Sequence, residues 1–256
     1  MLNIVAFSNV RKDVLLYLYD EGPKSFTEIR ERFDITAPEI SPRLKELVEH
    51  ELVGVDSKKY FLTPMGRTIV RHFKPFAGTI DAFETHYDFW QAHDIGGIPD
   101  EFLSRISEVR NARYIEDDAE NVSNTRLELS KILSESEYVC GAASIFGDDF
   151  PEMIFGFISD KKPFSLVTTP QIINIIKSKH LPTYLKYTTY GNVSMYLLKE
   201  SLGLSFAVTD KYLFLSLNFR NGKIDSQSNL VSEDGAALKW GMDLFEHYKA
   251  RSVRIK

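Results

Sequence analysis

The sequence has a single cysteine, Cys140, and no apolar run long enough to cross a membrane. One cysteine cannot form an internal disulfide, which is typical of a protein from a reducing cytoplasm. A membrane-spanning helix needs about 20 consecutive apolar residues, whereas the longest candidates here, such as 212–219, have the length of a strand. The start of the chain also lacks the basic and apolar segments of a signal peptide. We therefore expect a cytoplasmic protein without a membrane partner.

The sequence also has no excess of positive charge: it contains 31 Lys and Arg residues and 36 Asp and Glu residues, for a net charge of −5. This balance excludes a protein that coats nucleic acid along its whole length. The charge is unevenly spread, with 12 basic and 11 acidic residues in 1–75, 5 and 13 in 76–136, and 14 and 12 in 137–256. The acidity lies in the middle, so the first part of the chain is free to carry a small basic surface.

Residues 1–75 contain the signals of several short helices and one hairpin. Two capping boxes, Ser25 to Glu28 and Thr36 to Glu39, each predict the start of a helix. Residues 52–62 predict a two-stranded hairpin with the basic tip Ser57-Lys58-Lys59. The resulting order of helix, helix, turn, helix, hairpin and helix is typical of a winged helix-turn-helix DNA-binding domain, which we assign to residues 1–75.

In such a domain the third helix enters the major groove and the hairpin tip reaches the backbone of the DNA. On the predicted third helix, Leu44, Leu47 and Val48 face inward. The predicted DNA-contacting residues are the outward side chains of that helix and the cations of the tip, namely Ala37, Ser41, Arg43, Lys45, Lys58 and Lys59. Arg11 or Lys12 also suits a phosphate contact. The alternative is a winged helix used for protein contacts, with these charges on a solvated surface.

Pro42 lies six positions into the predicted third helix, where it removes a backbone hydrogen bond and crowds the preceding turn. We expect a kink or an irregular first turn. The alternative is that Ser41 acts as a second N-cap and Pro42 occupies the first helical position.

Residues 76–136 predict a helical linker or dimerisation segment, in which Ile80, Phe83, Tyr87 and Trp90 share one stripe. Winged-helix regulators bind paired half-sites as dimers, so we expect a homodimer; burial within the chain is the alternative. His86 and His93 share a face but do not complete a metal site, and we predict neither a metal nor another cofactor.

Residues 137–256 alternate between strand and helix patterns, which predicts a mixed sheet flanked by helices and an α+β fold overall. Strands are predicted at 138–144, 164–168 and 193–198, a hairpin at 204–218 with the turn Asp210-Lys211, and helices at 148–157, 171–179 and from Gly235 onward. Cys140 falls in an apolar strand and is predicted to be an inert core residue. Candidates for lining a ligand pocket are Tyr184, Tyr187, Tyr190, Tyr196, Thr168 and Thr169, and no single effector-binding residue is assigned.

Sequence signals of catalysis are sparse: no glycine-rich phosphate loop, GxSxG elbow or HExxH helix is present. Asp210 and the run Ser216-Leu-Asn218 match half of a phospholipase D pattern, and a degenerate relative of that fold is one option. Gly203 and Ser205, however, occupy the places of the nucleophilic histidine and the phosphate-binding lysine. We therefore predict no catalytic residues and no enzyme. The alternatives are a phosphodiesterase-like enzyme tethered to a DNA-binding domain and a protein-interaction scaffold without a ligand.

Two stretches of the chain resemble a known group of regulators. Glu28 to Gly66, with its Leu62-Thr63-Pro64-Met65-Gly66 ending, resembles archaeal transcriptional regulators of the ArsR-like winged-helix class. Phe89 to Ile106 resembles the middle domain of the methanogenesis regulatory protein family. The resemblance implies a homodimeric regulator that binds a double-stranded DNA operator and senses a small-molecule effector through its C-terminal domain. Sensors of the wider class use cysteine pairs on the winged helix, and residues 1–75 have none.

Overall fold

The computed structural model of the protein describes residues 2–6, 8–118, 120, 122–144 and 150–256. The chain divides into two units, Met1–Ala77 and Gly78–Lys256. Among the described residues no helix is long and apolar enough to span a bilayer.

The first unit consists of short helices and a three-stranded antiparallel sheet of order β1-β3-β2. Its elements are α1 (Leu2–Ala6), α2 (Asn9–Glu21), β1 (Lys24–Ser25), α3 (Phe26–Phe33), α4 (Ala37–Glu49), β2 (Val53–Asp56), β3 (Lys59–Leu62) and the start of α5 (Pro64–Thr85). The two predicted capping boxes are present and open α3 and α4. The predicted helices and hairpin are confirmed in order, whereas α1 and β1 were not predicted.

The helices of the first unit are held together by buried aliphatic side chains, since Ile29 of α3 and Ile40, Leu44 and Leu47 of α4 are at most 1% exposed. Their spacing on α4 follows the helical period, so one side of the helix is buried and the opposite side faces solvent. Val48, which was predicted to face inward, is 37% exposed, because it follows Leu47 and lies round the helix from the buried stripe.

Helix α4 passes through Pro42 without a break and begins at Ala37, with Thr36 as its N-cap. The Ser41 hydroxyl donates to the carbonyl oxygen of Ala37 at 2.7 Å. Ser41 is therefore a helical residue and not a second N-cap, so that alternative is wrong. Proline has no N–H to offer the carbonyl four residues earlier, that of Pro38. Both prolines are exposed.

The second unit contains an eight-stranded mixed sheet of order β11-β7-β6-β5-β8-β9-β10-β4. Its further elements are α6 (Tyr87–Ala92), α7 (Asp100–Leu103), β4 (Arg113–Glu116), α8 (Asn124–Glu135), β5 (Val139–Ala143), α9 (Phe150–Ser159), β6 (Phe164–Thr168), α10 (Pro170–Lys179), α11 (Leu181–Thr189), β7 (Val193–Leu197), β8 (Leu204–Thr209), β9 (Leu213–Leu217), β10 (Ser228–Ser232), α12 (Gly235–Ala250) and β11 (Val253–Arg254). Strands β5, β6 and β7 are parallel to one another, and the remaining pairs are antiparallel.

The predicted mixed sheet, the strands at β5, β6 and β7 and the hairpin of β8 and β9 are confirmed. The helix expected over 148–157 is described from Phe150 onward, and its first two positions lie outside the described residues. Strands β4, β10 and β11 and helices α8 and α11 were not predicted.

The two faces of this sheet are covered by different helices. Ala142 of β5 points toward α12 and joins a core with Trp240 and Phe245. Val139, on the other face of the same strand, joins a core with residues of α8 to α10 such as Leu129 and Ile173. Successive strand residues alternate between faces, which explains why neighbouring residues belong to different cores.

Residues 78–116 are part of the second unit and not a separate linker. The Phe102 ring lies 5.8 Å from the Trp240 ring, and the Trp240 indole N–H donates to the Phe102 carbonyl at 3.0 Å. Strand β4 also pairs with β10. The structure thus has two units where the sequence led us to expect three segments. The expected stripe is divided: Trp90 is buried, whereas Ile80 and Tyr87 are 39% and 60% exposed.

Candidate functional site

Most of the predicted DNA-contacting side chains are exposed on the first unit. Ser41, Arg43 and Lys45 lie on the solvent side of α4, and Lys58 and Lys59 lie on the hairpin. We call these five residues the basic face. Ala37 is half-buried at the start of α4. Lys45 Nζ lies 3.6 Å from Glu49 Oε1, and this ion pair between two exposed side chains contributes little stability.

The hairpin closes through a two-residue turn, Ser57-Lys58, between the paired residues Asp56 and Lys59. Ser57 and Lys58 have φ angles of 48° and 63°, in the left-handed region. A two-residue turn with positive φ at both positions matches the right-handed twist of the flanking strands. Lys58 therefore occupies the tip, whereas Lys59, predicted as part of the tip, belongs to strand β3.

Arg11 has a structural role that makes it unsuited to the phosphate contact we considered. Its side chain is 9% exposed, and Nη1 lies 2.5 Å from Glu46 Oε2 of α4. Nε and Nη2 donate to the carbonyl oxygens of Ile4 and Asn3 in α1, at 2.7 and 3.0 Å. The guanidinium thus joins α1, α2 and α4.

A cavity of about 520 Å³ lies in the second unit, between the sheet and helices α8 to α11. Small residues at alternate positions of β5 and β8 line it, namely Gly141 and Ala143 on β5 and Ser205 and Ala207 on β8. Because alternate strand residues share a face, all four lie on the face of the sheet that α8 to α11 cover. The volume falls within the range of small-molecule sites, roughly 300–1,000 Å³.

The cavity has an apolar half and a polar half. The apolar half lies over β6 and β7, is covered by α9, α10 and α11, and is lined by residues such as Leu166, Met195, Ile154 and Ile176. The polar half lies over β8, β9 and β10 and is lined by Ser205, Ser216, Asn229, Asp117, Thr125, Arg126, Asp225 and Ser226. The strand order separates the two halves, because β7 and β10 lie on opposite sides of the central strands.

The carboxylates of the polar half already receive hydrogen bonds from the chain. Asp117 Oδ1 accepts from the backbone N–H and the hydroxyl of Thr125, at 2.8 and 3.0 Å. Asp225 is 2% exposed. Its Oδ2 lies 2.8 Å from His93 Nε2 and accepts from the Ser228 hydroxyl, while Oδ1 accepts from the Gln227 N–H. Burial raises the pKa of Asp225, but these three hydrogen bonds more than offset it, so the pKa is lowered from its ordinary value.

Asn229 differs from these carboxylates because its amide has no hydrogen-bond partner among the described residues, although the residue is only 3% exposed. It stands on β10 and lines the cavity. An amide carries two N–H donors and an acceptor oxygen, so the polar half contains unused hydrogen-bonding capacity.

Of the predicted pocket residues, the structure brings Tyr184 and Tyr187 to the cavity. Tyr196 packs against Phe245 on the opposite face of the sheet, with ring centroids 6.4 Å apart. Thr168 donates to the carbonyl of Ala143, and Thr169 caps α10. Tyr190 packs against the core that includes Leu129 and Ile173, and it is not among the described residues that line the cavity. Sequence reasoning missed Ser205, Ser216 and Asn229, although the alternate small residues of β5 and β8 were an available signal.

The histidines of the 76–136 segment bind backbone and carboxylate oxygens. His86 Nε2 lies 2.6 Å from the Ala112 carbonyl oxygen, and His93 pairs with Asp225. Within the described part of the chain, no three or more His, Cys, Asp and Glu residues are grouped to hold a metal ion. Cys140 is half-buried, and burial raises the pKa of its thiol, so its reactive thiolate is disfavoured.

The residues that match the phospholipase D pattern do not share one site. Asp210 lies in the turn between β8 and β9, where its Oδ1 accepts the Glu137 N–H at 2.8 Å. Ser216 pairs with Ser205 near the other end of the hairpin. Strand β9 begins at Leu213, after this turn, and Ser216 lies three residues further along it, or about 10 Å. Asp210 thus has a structural role in the turn, and a degenerate relationship to that fold stays a prediction.

Comparisons with known proteins show that the C-terminal part of the chain is similar to a methanogenesis regulatory protein. Residues 125–251, just under half of the chain, match the family described as methanogenesis regulatory protein FilR1, middle domain. The chain is also similar to the methanogenesis regulatory protein FilR1 of Methanothrix harundinacea (strain 6Ac), with 25% identity over 219 residues. That alignment covers 83% of this chain and 48% of the relative, so the chain spans about half the length of the curated relative it matches.

Two solved structures show weaker similarity. One is TrmBL2, described as an archaeal chromatin protein, at 13% identity and a TM-score of 0.44, covering 94% of this chain and 91% of that one. The other is a transcriptional regulator (IcIR) from Alicyclobacillus acidocaldarius, at 11% identity and a TM-score of 0.26, covering 94% and 95% of the two chains. Both TM-scores are too low to establish a shared fold.

Proposed function

We propose that the protein is a DNA-binding transcription regulator of the archaeal type, with a winged helix-turn-helix domain in the first unit. The observation that carries the proposal is the similarity to a methanogenesis regulatory protein over 83% of the chain. The second unit, Gly78–Lys256, makes up less of the chain than that, so the similarity extends into the first unit.

The geometry of the first unit supports this proposal. Helix α4 exposes Arg43 and Lys45 outside its buried stripe, and the hairpin presents Lys58 at its tip. In a winged helix-turn-helix domain the corresponding helix enters the major groove and the hairpin contacts the backbone. The basic face is small, which fits local contact with DNA by a chain of net charge −5.

The test is binding of the full chain to the duplex upstream of its own gene, measured by fluorescence anisotropy against a scrambled duplex at several salt concentrations. We expect specific binding that weakens with salt, because each neutralised phosphate releases counterions. Arg43→Ala/Lys45→Ala should weaken it by at least about tenfold. Lys199→Ala/Lys223→Ala removes two charges at exposed residues of the second unit; it is the matched control and should bind as the parent does. Equal affinity for both duplexes would contradict the proposal.

We further propose that the cavity of the second unit binds a small effector and that occupancy changes the affinity for DNA. Its volume and its mixed lining support this assignment. If occupancy changes DNA affinity, then DNA must change ligand affinity by the same factor. Titration of the effector in the presence and absence of operator DNA measures both sides of that coupling.

We also propose a homodimer, as paired operator half-sites require. The exposure of Ile80 and Tyr87, at 39% and 60%, leaves apolar surface available in the second unit. Sedimentation velocity of the full chain should give the mass of a dimer. Ile80→Glu/Tyr87→Glu should shift it toward the monomer, whereas Leu127→Glu, a change at another exposed apolar residue, should not. A monomer at all concentrations would overturn the proposal.

A further inference from the structure

The polar half of the cavity is built around three residues that lie side by side on neighbouring strands. Ser205 of β8 pairs with Ser216 of β9, and the register of β9 with β10 sets Asn229 opposite Ser216. Neighbouring strands are about 4.8 Å apart, so the three side chains form a row about 10 Å long on one face of the sheet. We call Ser205, Ser216 and Asn229 the polar row; all three line the cavity.

Ser205 of the polar row is already hydrogen-bonded, because its hydroxyl accepts from the Ser144 N–H at 3.0 Å, whereas the other two residues keep hydrogen-bonding groups that the chain does not use. The Ser216 hydroxyl donates to the Asp225 carbonyl oxygen at 3.2 Å and keeps acceptor capacity. The Asn229 amide, at 3% exposure, has no partner among the described residues. The amide lines the cavity, so a bound molecule that both donates and accepts hydrogen bonds can pair with it.

The charges around the polar row disfavour an ionised ligand head. Asp117 and Asp225 both line the cavity, so an anionic head would be brought toward two carboxylates. Among the lining residues in the described part of the chain, Arg126 is the only cation, and it is an exposed residue that already has an interaction partner. A cationic head would compete with the hydrogen bonds that Asp225 receives from His93, Ser228 and Gln227.

The other half of the cavity is lined mainly by apolar side chains. Leu166 and Met195 form its floor on β6 and β7, and Ile154 and Ile176 cover it from α9 and α10. A ligand's methylene groups placed here are removed from water, which favours binding. The strand order sets this half beside the polar row, so one molecule reaches both.

From this arrangement we propose that the cavity binds a small amphiphile whose uncharged head both donates and accepts hydrogen bonds, as a primary amide does. The head lies against the polar row, with Asn229 as its main partner, and the apolar body lies against β6, β7 and α9 to α11. This inference rests on one part of the proposed function, namely that this cavity is the effector site.

The test uses three probes that share one chain and differ in the head: octanamide, octanoate and octylammonium. Isothermal titration calorimetry with the full chain should give binding of octanamide at least about tenfold tighter than of the other two. Octanoate binding as tightly as octanamide would overturn the proposal, as would the absence of octanamide binding.

Variants at Asn229 test the assigned contact. Asn229→Ala should abolish most of the preference for octanamide, because the head loses its main partner. Asn229→Asp should transfer the preference to octylammonium, because a carboxylate then faces the head. Asn174→Ala, at an exposed asparagine of α10 that does not line the cavity, is the matched control and should keep the preference. An unchanged preference in Asn229→Ala would refute the assignment.

Two controls separate the possible failures. Ala207→Phe fills the cavity between its two halves and should abolish binding of all three probes, while circular dichroism verifies that the chain is folded. If Asn229→Asp does not fold, Asn229→Ala and Ser216→Ala decide the outcome. Loss of octanamide binding with specific DNA binding intact would refute this ligand class and leave the DNA-binding proposal standing. The reverse result would retain the ligand class and refute the regulator.

Discussion

The Nε2 atom of His93 lies 2.8 Å from Oδ2 of Asp225, and both residues are 2% exposed. The other ring nitrogen, Nδ1, lies 2.6 Å from the carbonyl oxygen of Phe89, which only accepts hydrogen bonds. Each ring nitrogen of His93 thus lies within hydrogen-bonding distance of an oxygen atom. The pair joins the end of α6 to the loop before β10, and Asp225 is also part of the cavity wall.

Replacing Asp225 should therefore change both the stability and its pH dependence. The lowered pKa of Asp225 means that its contribution is present above the unfolded-state value of about 3.9 and is lost as the pH falls through the lower folded-state value. At pH 7, Asp225→Asn should reduce the free energy of unfolding by about 2 kcal/mol, because an amide cannot accept all three hydrogen bonds that the carboxylate makes with His93, Ser228 and Gln227. Urea denaturation at pH 3 to 7 measures both effects.

Below pH 4 the variant should lose less stability than the parent, so the two curves should converge. Asp160→Asn, at an exposed aspartate, is the control and should follow the parent curve. Parallel curves for the parent and Asp225→Asn would show that the carboxylate does not act as the structure indicates.

The hairpin tip allows the charge of Lys58 to be separated from its backbone conformation. Lys58→Gly removes the cation and relieves a left-handed residue with φ of 63°, so it should raise stability by about 0.5 kcal/mol. Lys58→Ala removes the same cation but keeps the unfavourable conformation. Thermal unfolding of the two variants measures this difference.

Because both Lys58 variants lose one positive charge, they should bind operator DNA with the same reduced affinity and with a salt slope smaller by about 1. Anisotropy titrations over a salt series measure this. If only Lys58→Ala binds more weakly than the parent, the turn conformation rather than the charge determines the contact.

Arg11 should be a stability residue and not a DNA-contacting one. Its guanidinium uses three nitrogens on three partners, Glu46, Ile4 and Asn3. Lysine offers one compact ammonium and cannot reproduce that geometry. Arg11→Lys should therefore lower the free energy of unfolding by about 2 kcal/mol, measured by urea denaturation of the full chain.

The matched control for Arg11 is Arg43→Lys, at an exposed residue of α4, which should leave stability unchanged and alter DNA binding instead. If Arg11→Lys were as stable as the parent but bound DNA more weakly, Arg11 would be a DNA-contacting residue and this assignment would be wrong.

Local signals in the sequence were sufficient for much of the fold. Capping boxes at Ser25 and Thr36 and the apolar period of α4 are determined within a few residues, and the structure reproduces them. The edge strand β4 was missed because Arg-Tyr-Ile-Glu is short and three of its four residues are exposed. Strand β10 was missed because Ser228, Asn229 and Ser232 are polar, although every residue of the strand is buried.

The cavity could not be predicted in the same way, because its described lining residues come from ten separate helices and strands. Only the three-dimensional arrangement aligns Ser205, Ser216 and Asn229 on adjacent strands. Likewise, the sequence pattern put His93 on one face with His86, whereas its side-chain partner is Asp225, 132 positions away.

Pro42 provides a test of how the geometry of α4 is stabilised. The helix continues through it although proline supplies no N–H to the Pro38 carbonyl and its ring crowds that carbonyl. Pro42→Ala should therefore raise the free energy of unfolding by about 1 to 2 kcal/mol. This is less than the full helix-interior cost of about 3 kcal/mol, because alanine also increases the freedom of the unfolded chain.

Pro38→Ala is the matched control. Pro38 lies in the first turn, where its missing N–H would have had no helical partner, so stability should barely change. Urea denaturation of both variants separates the two positions. An equal effect at the two prolines would mean that the cost of Pro42 is relieved by a local distortion of α4, and the presentation of Arg43 and Lys45 would then depend on that distortion.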